Sequence, residues 1–231
     1  MQKNTKNIKT WLLSICLIAI SALASSSLLA TPVANPAVNT LPNIQQFTPL
    51  LNDIKQRFPK HNADTLIVIS ASEQKLFLIE KNKVSKSYTI STAEAGLGSL
   101  SGSNKTPLGV HKISQMYGKG ATAGTIFKAR QNTKRVAEIL TQPGKRSNAD
   151  NVTTRIMWLS GLEKGKNKGG KVDSHARYIY IHGTDEEGRL GKPASHGCIR
   201  MANNEVIELF NKVSTGTLVI IIESISSLNA R

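Results

Sequence analysis

Cys198 stands in the run Ser195-His196-Gly197-Cys198-Ile199-Arg200, and a second His-Gly pair, His182-Gly183, lies upstream of it. The chain holds two cysteines and five histidines, and the other cysteine, Cys16, sits in an apolar amino-terminal run where it serves as filler. A free thiol with a pKa of about 8.5 is mostly protonated at neutral pH, so a neighbouring imidazole is what makes it a nucleophile. A lone thiol close in sequence to one imidazole and one loop away from another therefore has the makings of a thiolate and its base. Two other readings stand beside this one. A zinc site of His182, His196 and Cys198, with Asp185, His175 or a water as fourth ligand, is chemically possible, although the spacing fits no known zinc pattern. Cys198 as a buried small hydrophobe beside two His-Gly turns is the bland alternative. His61 and His111 lie apart from the cluster and read as structural.

The elements around these residues must bring them together. In Arg177-Tyr178-Ile179-Tyr180-Ile181-His182, strand alternation sets Tyr178, Tyr180 and His182 on one face and Ile179 and Ile181 on the other. Gly188, Gly191 and Pro193 let the following chain loop back and present Ser195 to Cys198 beside that strand. Asn203 or Asn204 is expected to cap a helix carrying Val206, Leu209, Phe210 and Val213 on one face, whose first-turn amides would favour a thiolate facing them. A second helix is predicted from Thr133 to Thr141, with Val136, Ile139 and Leu140 inward. A short amphipathic helix fits Phe47 to Phe58, where Leu50, Leu51, Ile54 and Phe58 share a face and Pro59 ends the run. Strands are expected at Thr65–Ser70, Lys75–Ile79, Val84–Ser91, Val110–Met116, Thr153–Leu159, Arg177–His182 and Thr217–Ile222. The Gly-rich tract from Glu94 to Lys105, running into Thr106-Pro107-Leu108-Gly109, lacks the Gly-Lys-Ser/Thr ending of a phosphate loop and reads as a rim of the cleft. The fold class is mainly β, a β-rich α+β domain from about Asp64 to Glu223.

The rest of the chain sets the setting. Lys3, Lys6 and Lys9 precede an apolar run from Trp11 to Leu23 that ends at Ala22-Leu23-Ala24, the pattern of a secretory signal over residues 1–24; counted on through Leu29 the run could instead be an uncleaved anchor. Residues 25–63 read as a polar spacer holding the short helix, and residues 224–231 as a tail. Cleavage after Ala24 leaves 231 − 24 = 207 residues and lowers the charge from +15 to +12, since three lysines and no acids depart. That length supports one main domain. An exported basic protein with one remaining cysteine forms no internal disulfide and suits anionic cell-surface material, in the periplasm or the cell wall. The basic residues are scattered and no nucleic-acid motif accompanies them, which argues against nucleic acid as partner.

Ser195-His-Gly-Cys-Ile-Arg200, preceded by Ile181-His182-Gly183-Thr184, resembles the signature of the L,D-transpeptidase catalytic domain, the YkuD-type family of peptidoglycan enzymes. Thr106-Pro107-Leu108-Gly109 and the early strand hairpin share the likeness. The gap from His182 to Ser195 is on the short side for that family, and Arg200 stands where many members carry Asn. The resemblance implies a sandwich-like or barrel-like arrangement of mixed sheets with a few short helices. It implies Cys198 as nucleophile, His182 as proton acceptor and donor, and the Gly183 carbonyl as the group orienting His182. Ser195, His196, Gly197 and Arg200 would form the substrate side, with amides at Gly197 and Cys198 as the oxyanion hole, and Arg200 anchoring the loop or pairing with a substrate carboxylate. The implied partners are peptidoglycan stem peptides, a wall-anchored lipoprotein as one possible acceptor, and carbapenem-type inhibitors. No metal or organic cofactor is called for; the alternatives to a transpeptidase are an L,D-carboxypeptidase with the same Cys/His site and a non-catalytic cell-wall-binding protein.

Overall fold

The computed structural model describes residues 41–228. The signal segment, the spacer up to residue 40 and the last three residues of the tail lie outside the described residues. The most apolar stretch, β1 (Thr65–Ser70), is buried on both faces, as its unbroken Leu-Ile-Val-Ile centre requires. It pairs antiparallel with β2 (Lys75–Glu80) and parallel with β10 (Leu218–Ile222). β2 continues into β3 (Lys83–Ser91), which meets β9 (Ile199–Met201), and β9 lies parallel to β8 (Tyr180–Thr184). β8 pairs with β7 (Val152–Gly161), and β7 pairs with β4 (Gly109–Tyr117), which also borders β10. The order β4-β10-β1-β2-β3-β9-β8-β7 therefore returns to β4, and a barrel closes with no free edge in that ring. The β5 (Thr125–Lys128) and β6 (Gln131–Val136) hairpin hangs from the start of β7. The mainly β, barrel-like fold class expected from the sequence is thus the observed one.

Two short helices fill the faces. α1 (Thr48–Arg57) sets Leu50, Leu51 and Ile54 against Leu66, Val68 and Phe77 on one face of the sheet. α2 (Asn203–Lys212) sets Val206, Leu209 and Phe210 into the cluster of Ile67, Ile69, Leu159 and Ile181 on the other. Alternation along β1 and β8 explains how one strand serves both layers.

Three expectations need correcting. The segment from Thr133 is not a helix: β6 runs through it, the Thr133 hydroxyl donates to the Ile126 carbonyl, and Val136 is exposed rather than inward. Pairing with β5 offers the β-branched Thr133 and Val136 a partner that a lone helix lacks. α2 begins at Asn203 with Ala202 as the residue before it, so neither asparagine is its cap; the Asn203 amide donates instead to Glu187 Oε1 at 2.8 Å. Strand β8 starts at Tyr180 rather than Arg177, because Tyr178 has a left-handed backbone with φ 57°.

Candidate active site

Parallel pairing of Ile181 with Ile199 and of His182 with Arg200 fixes the register of β8 and β9. In that register Cys198 lies beside Tyr180, and Cys198, Tyr180 and His182 project to one face. Cys198 and His182 are then diagonal neighbours, about 8 Å apart between backbones for strands spaced ~4.8 Å with a rise of ~3.3 Å per residue. In this structure the sulfur is hydrogen-bonded to Tyr178 and Tyr180 and not to His182.

His182 is buried, and its Nδ1 lies 2.7 Å from the Gly183 carbonyl oxygen. A carbonyl only accepts, so Nδ1 carries the proton and Nε2 is left as the lone-pair nitrogen. Burial lowers the His182 pKa to about 4, the Gly183 carbonyl opposing and the Arg200 charge adding to the fall. The ring is a neutral base at neutral pH. Gly183 must be glycine by close approach: a Cβ there would meet Asn203 Oδ1 at 2.8 Å and Thr153 Oγ1 at 2.9 Å.

Cys198 is half-buried, with Sγ 3.3 Å from the Tyr178 carbonyl, to which it donates, and 3.4 Å from the Tyr180 amide nitrogen, from which it accepts. Burial raises the thiol to about 11, against the pull of the Tyr180 amide and the Arg200 charge. The resting pair is therefore thiol and neutral imidazole. The sulfur faces the Tyr180 amide and not the first turn of α2, where Glu187 already takes the Asn203 amide.

The turn before the thiol is pinned from several sides. Ser195 Oγ donates to the Cys198 carbonyl at 2.5 Å and accepts from the Gly197 amide at 3.2 Å. Thr106 Oγ1 donates to the Gly197 carbonyl at 3.0 Å and accepts from the Ala93 amide at 2.9 Å, while Ala93 and Ser195 form a parallel bridge. The Gly-rich tract is thus tied to the nucleophile turn. Gly197 has φ 127°, a conformation that side chains oppose.

His196 is exposed, and its Nδ1 lies 2.8 Å from Asp150 Oδ2. Arg200 is buried, with Nη2 2.5 Å from Asp150 Oδ1 and Nη1 2.8 Å from Glu186 Oε2. Arg200 is therefore bound to two internal carboxylates, the loop-anchoring role rather than an outward one. His175 stacks on Trp158 at 3.9 Å between ring centroids. Among the described residues no group of three His, Cys, Asp or Glu side chains is arranged to hold a metal ion. His111 is buried between the Gly109 carbonyl and Ser174 Oγ, at 3.0 and 2.9 Å, a structural placement. Sequence reading missed Asp150, Glu186 and the Tyr180 amide, which reach the site only through contacts distant along the chain; Thr106 was visible as part of Thr-Pro-Leu-Gly.

The barrel thus sets a half-buried thiol, one residue before β9, near a buried neutral imidazole on the parallel strand β8. The sequence profile of the L,D-transpeptidase catalytic domain, YkuD, matches residues 64–221, and the chain belongs to this family. It is 51% identical over 45 residues to YqjB of Bacillus subtilis, covering 20% of this chain and 26% of that protein. It is 38% identical over 65 residues to YkuD of Bacillus subtilis, covering 26% of this chain and 40% of that protein. Both relatives carry an L,D-transpeptidase name, and the matches span less than half of their length. Among solved structures, L,D-transpeptidase 3 from Mycobacterium tuberculosis aligns over 69% of this chain and 61% of that one, at 14% identity and TM-score 0.44. An L,D-transpeptidase from Mycobacterium smegmatis aligns over 69% and 58%, at 14% identity and TM-score 0.41.

Proposed function

We propose that this protein cross-links or trims peptidoglycan through a Cys198 acyl-enzyme. The observation that carries the reading is the Gly183-held His182, whose free Nε2 shares a strand face with the one thiol among the described residues. Cys198 attacks the carbonyl of the third residue of a tetrapeptide stem while His182 Nε2 takes the thiol proton. The tetrahedral oxyanion is held by the Tyr180 and Cys198 amides; the Gly197 amide is taken up by Ser195 Oγ. Collapse breaks the C–N bond, His182 returns the proton to the leaving amine, and D-Ala departs. The thioester then passes to an acceptor. A stem amine gives a 3-3 cross-link, a lipoprotein amine gives a tether, and water gives an L,D-carboxypeptidase. A carbapenem, which offers an acyl donor, acylates the same sulfur. The export-type leader and basic balance of the sequence support a setting in the periplasm or cell wall.

The test is intact-protein mass spectrometry with purified tetrapeptide muropeptides, followed by product analysis. D-Ala release with dimers identifies the transpeptidase, and release with tripeptide alone identifies the carboxypeptidase. Cys198→Ala is expected to abolish both while the far-ultraviolet spectrum stays native. Activity surviving that substitution would remove the proposal.

A further inference from the structure

Arg130 reaches the thiol's surroundings through Tyr180 and has no part in the acyl-transfer steps. Arg130 lies at the β5–β6 turn, where Ala129 and Arg130 have φ 47° and 68°. This is a two-residue hairpin turn with both central residues left-handed, a conformation that Asn-Gly adopts far more readily than Ala-Arg. Its guanidinium stacks over Trp158 at 4.5 Å and over Tyr178 at 5.5 Å from the ring centroids, and Nη1 donates to the Tyr180 hydroxyl at 3.1 Å. Trp158 is fixed from another side by the His175 ring, to whose backbone carbonyl its Nε1 donates at 3.0 Å. Tyr178, 54% exposed, also has a left-handed backbone.

Three non-glycine residues in unfavourable backbone conformations thus converge on one platform. A surface cation–π contact alone is too weak to offset that. Tyr180 ties the platform to the chemistry, because its amide reaches Cys198 Sγ while its hydroxyl reaches Arg130. The guanidinium makes no other hydrogen bond and no ion pair among the described residues. With its face held on the rings and most of its N–H donors unused, Arg130 is an ordered planar fork one tyrosine length from the sulfur, the geometry that takes a carboxylate through two parallel hydrogen bonds.

We infer that Arg130, seated on Trp158, Tyr178 and Tyr180, is a carboxylate-binding subsite for the acyl donor. The inference rests on the acyl-transfer reading and deepens it. The carboxylate belongs to the donor peptide, either the terminal group that leaves with D-Ala or one on the residues nearer the amino end. Ordering the fork before binding lowers the entropic cost of fixing the donor over Cys198.

The test measures thioester formation on the full chain by mass spectrometry. The donors are a tetrapeptide stem with every carboxylate free and a series in which one carboxylate at a time is amidated. For the native enzyme, amidating the carboxylate that Arg130 holds is expected to lower kcat/KM about ten- to a hundredfold, chiefly through KM. The position that responds identifies the source. Arg130→Gln is expected to lose the same factor on the free donor and nothing more on that amidated donor, and Arg130→Lys to lose part of it. Alkylation of Cys198 by iodoacetamide stays at the native rate in both variants, which reports an intact thiol. Native indifference to every amidation, or equal losses by Arg130→Gln on free and amidated donors, would overturn the subsite while leaving the acyl-transfer reading standing. Absence of any thioester with the native enzyme would remove both.

Discussion

Burial acts in opposite senses on the two reacting side chains, since it raises an acid thiol and lowers a basic imidazole. Cys198 is pushed up to about 11 and His182 down to about 4, so the resting site holds no preformed thiolate–imidazolium pair. The thiol keeps its proton and donates it in a hydrogen bond to the Tyr178 carbonyl. Deprotonation then belongs to the attack, when a bound donor turns the sulfur toward His182 Nε2 and the amides have an oxyanion to hold. This gives a measurable signature. Iodoacetamide alkylation of the substrate-free enzyme is expected to rise about tenfold per pH unit between pH 7 and 10, following thiolate fraction. A plateau from pH 5 to 8 would instead reveal a standing ion pair. His196 has a different setting, exposed and held by Asp150, which Arg200 anchors in turn. That chain of contacts makes Asp150 the residue that fixes where the second imidazole sits.

At the scale of elements, the turn between β8 and β9 is held by carboxylates that point inward. Glu186 Oε2 lies 2.8 Å from both Arg189 Nη1 and Arg200 Nη1, and its Oε1 accepts from the Ser147 amide at 2.7 Å. Burial alone would raise this carboxyl, but Arg189, the Ser147 amide and Arg200 hold it below the usual range. Asp185 accepts from the Asn151 amide at 3.0 Å, and Leu140 exchanges backbone bonds with Asp185 and Gly188. The segment before β7 is thereby clamped to the turn, which delivers Asp150 to His196. Removing one partner of a buried charge group strands the other. Glu186→Gln is expected to lower unfolding stability by about 3 kcal/mol in urea titrations, and a loss within error of zero would refute the clamp. These contacts also mark where sequence reading ends. Apolar, β-branched runs between polar connections located β1, β2, β3, β4, β7 and β10, and apolar spacing located α1 and α2, because those signals are local. Cys198 and the two His-Gly pairs stood out by residue type and spacing, whereas the choice of His182 and Gly183 over His196 came from the family resemblance. The Thr133–Thr141 helix failed because Val136, Ile139 and Leu140 satisfy a helical spacing as well as a strand followed by a loop, and only the facing β5 decides between them. β9 is three residues long and hidden inside the nucleophile motif, while Asp150 and Glu186 gain their roles from partners far along the chain.

For the whole molecule, the closed barrel holds two histidines that must enter it uncharged. His111 bridges the Gly109 carbonyl and Ser174, His182 is bound to Gly183, and burial lowers each to about 4 from an ordinary 6.5. Below pH 6.5 the unfolded chain binds a proton at each site that the folded chain refuses until about pH 4. The unfolded state then holds more protons, so stability rises with pH across that window. The contribution is complete above pH 6.5 and is lost as pH falls toward 4. The carboxylates held low, Glu163, Asp173 and Glu186, lose their contribution only further down, as their protonation requires still more acid. Between pH 7 and 5 the two histidines therefore dominate, costing about 2 kcal/mol each by pH 5. Against a total of about 5–15 kcal/mol for a domain, and with Cys198 free of any disulfide, that loss is a large share. The urea midpoint is expected to fall steadily from pH 7 to 5. His111→Gln lowers stability at pH 7 but removes one of the two titrations, so its midpoint falls about half as far over the same range. A midpoint constant from pH 7 to 5 in the native protein would show that the histidines enter the barrel without that cost.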